Sequence, residues 1–121
     1  MLLSAPETPE TRGIIGAGEL ALMKCTAYLV NVARGALVEE SSLVAALAAG
    51  QIAGAALDVA SHEPLPAESP LWGAPNLFLT PHVSAVSEGL WDRQSDLLIE
   101  NLERWFGGRE LLNRVDLERG Y

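Results

Sequence analysis

Four short apolar runs, separated by helical or loop segments, constrain the fold of this chain more than any other feature. Each run is rich in aliphatic residues and too short for a helix, which is typical of a buried strand. The runs are Leu2–Ala5, Ala27–Val32, Ala53–Val59 and Asn76–Thr80. Strands that alternate with helices predict an α/β fold whose parallel sheet is covered on both faces.

The intervening segments carry helical rather than strand-like spacing. Apolar residues recur three or four positions apart over Glu39–Ala49, and again along an amphipathic stretch, Ser87–Phe106. A shorter helix is expected over Ala17–Lys24. The region between the third and fourth runs is interrupted by prolines, so we expect a loop without regular structure. These prolines are Pro64, Pro66, Pro70 and Pro75.

Composition limits the size of the core and the class of partner. The chain has 121 residues, 49% of them hydrophobic, enough for one modest core. A formal net charge of −8 argues against nucleic acid and membrane surfaces as partners. The single cysteine, Cys25, is typical of a reducing compartment. Because no run approaches the about 20 apolar residues of a membrane span and no signal-peptide pattern is present, a cytoplasmic location is expected.

Charged side chains follow three of the apolar runs. Arg34, Asp58 and His82 lie at or just beyond the ends of the second, third and fourth runs. Ligands of open α/β sheets bind beyond the carboxyl ends of the strands. A guanidinium there can bind a carboxylate through two parallel hydrogen bonds, and the alternative is an ion pair with Glu39 or Glu40. Asp58, if buried, needs either backbone donors or an amide-bearing ligand.

His82 is the candidate for proton transfer. Its imidazole suits acid–base chemistry near neutral pH, and the alternative is a structural histidine. Glu63 lies in the proline-rich loop. It is either a solvated charge or a carboxylate that orients His82 and favours its protonated form.

Other kinds of site are disfavoured. His62, Glu63 and His82 form no His-Glu-x-x-His pattern and no cysteine pair is present, so no bound metal is expected. No Gly-x-Ser-x-Gly motif marks a serine nucleophile. The segment Gly13–Gly18 has the wrong spacing for a dinucleotide phosphate loop and follows no well-formed strand.

Taken together and in order, these segments resemble the D-isomer-specific 2-hydroxyacid dehydrogenases, and in particular bacterial members of the glyoxylate or hydroxypyruvate reductase type. The resemblance runs from about Leu3 to Phe106. Its motifs are Pro6–Thr11, Asn31–Gly35, Ala55–Val59 followed by Glu63 and Pro64, and Thr80–His82. One departure is Glu7, where the family pattern has leucine.

The resemblance implies a catalytic role for three residues. Arg34 would bind the substrate carboxylate and polarise the 2-keto oxygen. His82 would be the general acid in reduction and the general base in oxidation. Glu63 would keep His82 protonated and oriented. Related formate dehydrogenases have glutamine at this position, so Glu63 favours a hydroxyacid substrate.

The resemblance also implies a cofactor, NAD or NADP, and the residues that would contact it. Asp58 would bind the nicotinamide carboxamide. The remaining contacts would come from the turns that follow the strands. These residues are Ala5, Pro6, Val32, Ala33, Arg34, His82 and Ser84.

The expected architecture is the C-terminal half of a doubly wound, Rossmann-like sheet with a crossover helix. Residues 1–85 would belong to the nucleotide-binding domain. Residues 86–121 would be a crossover helix and tail whose apolar stripe is partly exposed. No glycine-rich phosphate loop is present, so a fragment inactive alone is expected, with a 2-keto or 2-hydroxy acid substrate. A homodimer or a complementing N-terminal chain would be its partner. A non-catalytic binding or assembly module is the alternative.

Overall fold

The computed structural model describes residues 1–121 as two compact units, residues 1–84 and 85–121. The first unit contains four strands and two α-helices. In chain order these are β1 (Leu2–Leu3), α1 (Ala17–Leu22), β2 (Tyr28–Asn31), α2 (Glu40–Ala48), β3 (Gly54–Leu57) and β4 (Leu77–Leu79). The second unit contains α3 (Leu90–Phe106). All four predicted strands and three predicted helices are confirmed, each shorter than the sequence pattern indicates.

The strands form one parallel sheet in the order β1-β2-β3-β4. When neighbouring strands follow one another in sequence and all crossover connections have the same handedness, every connection lies on the same face of the sheet. The core therefore lies on one side, where Leu29 and Leu57 pack with Leu20 of α1 and Leu43 of α2.

The prediction that both faces of the sheet are covered is wrong. Side chains alternate between the two faces of a strand. Leu2, Tyr28 and Phe78 point away from the core face and are 61–66% exposed. The apolar runs indicate strands, but only the strand order decides which face the connecting helices cover.

The proline-rich loop contains one element that the sequence pattern does not predict. Pro70–Gly73 forms a 3₁₀ turn, and the Ser69 hydroxyl accepts a hydrogen bond of 3.3 Å from the N–H of Leu71. Proline is tolerated in the first turn of a helix because its missing N–H is not needed there. The turn buries Leu71, which is 1% exposed, in the core.

Helix α3 begins three residues later than predicted and is solvent-exposed along its length. Gly89, which precedes it, has a φ of +68°, in the left-handed region that favours glycine. None of its residues is buried, so the expected exposure of its apolar stripe is confirmed. Trp91, Trp105 and Phe106 are 69–84% exposed. None of the helices combines the length and apolar character that crossing a membrane requires.

Candidate active site at the carboxyl edge of the sheet

The four strands end in a single row. Leu3, Asn31, Leu57 and Leu79 are successive partners in the parallel register. Because parallel strands point the same way, the residues that follow each strand emerge at one edge. This edge carries the turns predicted to form a site, which are Ala5–Pro6, Val32–Arg34, Asp58 and Thr80–Ser84.

The structure brings His82 and Glu63 into contact. His82 Nδ1 lies 2.7 Å from Glu63 Oε2, and Glu63 Oε1 accepts a 3.0 Å hydrogen bond from the N–H of Ala60. The hydrogen bond to His82, followed by the one from Ala60, holds the pKa of Glu63 below its ordinary value. An ionised carboxylate only accepts hydrogen bonds, so Nδ1 carries a proton. This leaves Nε2 as the ring atom that can exchange a proton with a ligand.

Asp58 is buried and holds the turn that carries His82. Its Oδ1 accepts hydrogen bonds from the Thr80 hydroxyl at 2.6 Å and the Val83 N–H at 2.9 Å, and its Oδ2 accepts one from the Ser84 N–H at 2.8 Å. Its backbone oxygen accepts the His82 N–H at 2.8 Å. These bonds help to keep His82 in a left-handed backbone conformation, with a φ of +55°.

The protonation state of Asp58 follows from these bonds. Burial acts to raise the pKa of Asp58, but the hydrogen bonds from Thr80, Ser84 and Val83 outweigh it and hold the pKa far below its ordinary value. Of the two alternatives for Asp58, backbone donors are thus present. Both oxygens of the carboxylate therefore accept hydrogen bonds from the protein.

Arg34 is exposed and forms no ion pair with Glu39 or Glu40. Its Nη1 donates a 2.7 Å hydrogen bond to the backbone oxygen of Ala33. Glu39 accepts the hydroxyl of Ser42, and Glu40 accepts the N–H of Ser61. A guanidinium has five N–H donors, so most of them face solvent and can meet a carboxylate.

Asn31 is a site residue that the sequence reasoning missed as an individual position. It is 0% exposed, and its side chain bonds to the backbone of both Ala33 and Arg34. The signal was present, because a polar residue within an apolar run must find partners when it is buried.

Two predicted cofactor residues take no part in these contacts. Ala5 and Pro6 follow β1, and the backbone oxygen of Pro6 accepts the Thr11 hydroxyl at 2.8 Å. Neither hydrogen-bonds to Arg34, Asp58 or His82. Asp58, Glu63 and His82 line a cavity of about 800 Å³ together with apolar residues that include Leu65 and Trp72. No group of three or more His, Cys, Asp or Glu side chains is arranged to hold a metal ion.

Gly35, next to Arg34, packs closely against the backbone of the loop that leads to Glu63. A Cβ atom at Gly35 would lie 2.0 Å from the backbone carbon of Ala60 and 2.2 Å from its oxygen. Only glycine permits this approach. We expect Gly35→Ala to lower the free energy of unfolding by about 3 kcal/mol, since the obstructing atoms are backbone and must move.

Urea denaturation of Gly35→Ala and of Gly18→Ala checks this expectation. Gly18 lies in α1, and no atom lies within 4 Å of the position that a Cβ would occupy there, so its substitution should be neutral or stabilising. Equal stabilities for the two variants would contradict the close approach at Gly35.

Comparison with known proteins identifies relatives of the whole chain. Residues 1–84 match the family described as D-isomer specific 2-hydroxyacid dehydrogenase, NAD binding domain. Glyoxylate/hydroxypyruvate reductase A of Yersinia enterocolitica is 41% identical over 116 residues, and its counterpart in Klebsiella pneumoniae is 44% identical. Each alignment covers 96% of this chain and 36% of the relative, so the chain spans about a third of the length of these reductases.

Solved structures agree with this assignment. A D-isomer specific 2-hydroxyacid dehydrogenase from Xanthobacter autotrophicus, in complex with NADPH and MES, is 43% identical with a TM-score of 0.89. The alignment covers 99% of this chain and 49% of that one. A glyoxylate/hydroxypyruvate reductase from Sinorhizobium meliloti, in complex with NADP and sulfate, is 33% identical with a TM-score of 0.90, over 99% of this chain and 39% of that one. The Rossmann-like fold is thereby confirmed, and the chain belongs to the D-isomer specific 2-hydroxyacid dehydrogenase family.

Proposed function

We propose that the chain supplies the acid–base and carboxylate-binding residues of an NAD(P)-dependent oxidoreductase that interconverts 2-keto acids and D-2-hydroxy acids. The 2.7 Å contact between His82 and Glu63 at the carboxyl edge of the sheet carries this proposal. A carboxylate behind an imidazole orients the ring and favours its cationic form. The pair is suited to donating a proton to a developing alkoxide.

His82 and Glu63 would handle the proton. With Nδ1 directed at Glu63, the proton on His82 Nε2 would pass to the keto oxygen as hydride reaches the keto carbon. Glu63 would stay ionised throughout, because its oxygens accept hydrogen bonds from His82 and Ala60. In the oxidation direction the neutral Nε2 would accept the hydroxyl proton instead.

Arg34 would bind the substrate carboxylate. Arg34 is exposed at the same edge, and its guanidinium forms one hydrogen bond with the protein, to the backbone oxygen of its neighbour Ala33. Two parallel N–H donors match the two oxygens of a carboxylate. Binding there would orient the 2-keto oxygen relative to His82. The positive charge of the Arg34 guanidinium would also polarise that oxygen.

The residues at this edge fit a nicotinamide cofactor. Asp58 is an ionised acceptor at this edge, and one of its oxygens could also bind a carboxamide N–H. The turns at Ala5–Pro6, Val32–Ala33 and Ser84 would line the cofactor. Bound reduced nicotinamide would supply the hydride. NADPH and NADP in two relatives favour NADP over NAD.

The names of the relatives point to the substrate, and the division of the chain into domains is a separate part of the proposal. Glyoxylate and hydroxypyruvate are the 2-keto acids that we propose as substrates, since the Yersinia and Klebsiella reductases are named for them. We also propose that residues 1–85 belong to the nucleotide-binding domain. Residues 86–121 would then form the crossover towards a substrate domain.

A chimeric reductase tests the proposed function. The 116-residue segment of the Klebsiella pneumoniae enzyme that aligns with this chain is replaced by the present sequence. We expect NADPH-dependent reduction of glyoxylate or hydroxypyruvate. The reaction is measured by the loss of absorbance at 340 nm. The 121-residue chain is assayed alone in parallel. A folded chimera that binds NADPH without turnover would favour the non-catalytic binding module instead.

The substitution Glu63→Gln in the chimera tests the acid–base pair. It retains an acceptor for His82 but removes the negative charge that favours the protonated imidazole. We expect kcat and kcat/KM for keto-acid reduction near neutral pH to fall by about tenfold or more, because an uncharged partner orients and stabilises the proton-donating imidazole less well. The measurement is kcat/KM between pH 5 and 9.

Glu68→Gln is the matched control for the loss of one loop carboxylate. Glu68 is exposed in the same loop and forms no hydrogen bond or ion pair. Its pH profile should coincide with that of the parent. A Glu63→Gln profile that also coincides with the parent would remove Glu63 from the proposed mechanism.

A further inference from the structure

We infer that Asn31 is a positioning residue that sets the direction of Arg34, an inference that rests on the proposed carboxylate-binding role of Arg34. Asn31 ends β2, is 0% exposed, and touches the turn that carries Arg34 through both ends of its amide. Its own side chain is out of reach of any ligand. The Asn31 amide would therefore act on a ligand through the Arg34 turn.

Both amide atoms of Asn31 bond to the Arg34 turn. Oδ1 accepts a 3.0 Å hydrogen bond from the N–H of Ala33, and Nδ2 donates a 2.9 Å bond to the backbone oxygen of Arg34. The two bonds bracket the peptide unit that joins Ala33 to Arg34. Changes in the backbone torsion angles between these two bonds would change the direction of the Arg34 Cα–Cβ bond.

Few other bonds hold this turn. The N–H of Ala33 has no partner besides Asn31 Oδ1, and the Arg34 oxygen has only one other donor, the N–H of Leu37 at a longer 3.3 Å. The Arg34 side chain is anchored only to the Ala33 oxygen, within the same turn. Losing the Asn31 amide would thus free both the backbone and the guanidinium.

Asn31 also connects this turn to the second half of the site. Its backbone oxygen accepts a 2.9 Å hydrogen bond from the N–H of Asp58, the residue that holds the His82 turn. The same residue thereby keeps the Arg34 turn at a set distance from the His82 turn. Correct spacing between a carboxylate-binding group and an acid is what orients a 2-keto acid for proton transfer.

Two substitutions in the chimera remove the Nδ2 donor while keeping an acceptor for Ala33. Asn31→Asp retains the shape of the side chain, and Asn31→Ser avoids a buried negative charge should the aspartate variant fail to fold. We expect the KM for the keto acid to rise by about tenfold. The KM for NADPH should change less than the KM for the keto acid, because Arg34 would bind the substrate carboxylate directly, whereas the Val32–Ala33 turn is one of several that would line the cofactor. The Kd of oxamate, an unreactive analogue with the same carboxylate, should rise in parallel.

A double-mutant cycle separates positioning from a general structural effect. If Asn31 acts through Arg34, Asn31→Ser should add no further loss of oxamate affinity in an Arg34→Ala background. Additive losses, or equal losses of NADPH affinity, would overturn the inference. If Arg34→Ala itself leaves oxamate affinity unchanged, the proposed role of Arg34 fails, which is a different outcome from the failure of Asn31 alone.

Discussion

Replacing His82 by glutamine is expected to lower keto-acid reduction by the chimera about a thousandfold. Glutamine can donate a hydrogen bond to Glu63, which preserves the contact now 2.7 Å long, but it cannot release a proton at neutral pH. The loss should appear in kcat more than in the KM for NADPH. Steady-state kinetics at 340 nm measures both constants.

The other histidine of the chain offers a matched control. His62 is exposed, lies in the same loop as Glu63, and forms no hydrogen bond or ion pair. His62→Gln therefore changes the same chemical group outside the site and should leave kcat within about twofold of the parent. Activity retained in His82→Gln, with its fold intact by circular dichroism, would remove His82 as the acid.

Replacing Asp58 by asparagine is expected to destabilise the first unit by about 3 kcal/mol at pH 7, which is the second large effect. The carboxylate is 5% exposed and accepts three hydrogen bonds. An amide of the same shape directs two N–H donors at a site filled with donors. Hydrogen bonds to a charged acceptor contribute more than neutral ones, and a buried donor left unpaired is costly.

The difference between parent and variant should depend on pH in a defined direction. The pKa of Asp58 is held below its ordinary value, so its contribution to stability is complete above the ordinary aspartate pKa of about 3.9 and is lost as pH falls further. Urea denaturation at pH 7 and at pH 3 should show a large difference that shrinks on acidification. Asp96→Asn, at an exposed position of α3, is the control for charge. A difference that does not vary with pH would contradict an ionised Asp58.

The class of fold and the family could be predicted from the sequence because their signals are local. An apolar run of four to seven residues between turn or helical segments favours a strand, and helical spacing can be recognised within a single segment. The same holds for the residues at the ends of the runs. Arg34, Asp58 and His82 lie where the chain leaves the sheet, and the topology of parallel sheets makes that edge the place for ligands.

The boundaries and the small elements could not be predicted with the same accuracy. Helical spacing places Ser87 in the last helix, but Gly89 adopts a left-handed conformation just before the helix begins. The prolines predict irregular loop over Pro70–Gly73, although they are compatible with a first helical turn. Composition indicates where a helix is disfavoured. It does not show that Leu71 gains enough burial to stabilise a short turn.

The order of residues along the chain is enough to specify the strands, the helices, and which chemical groups reach the carboxyl edge of the sheet. Which of these groups meet depends on the packing of the folded chain. Glu63 and His82 are 19 residues apart, and their contact depends on how the proline-rich loop folds back over the end of β3. Likewise the apolar run around Asn31 indicates that this residue is buried, but its bonds to Ala33 and Arg34 depend on the packing of the folded chain.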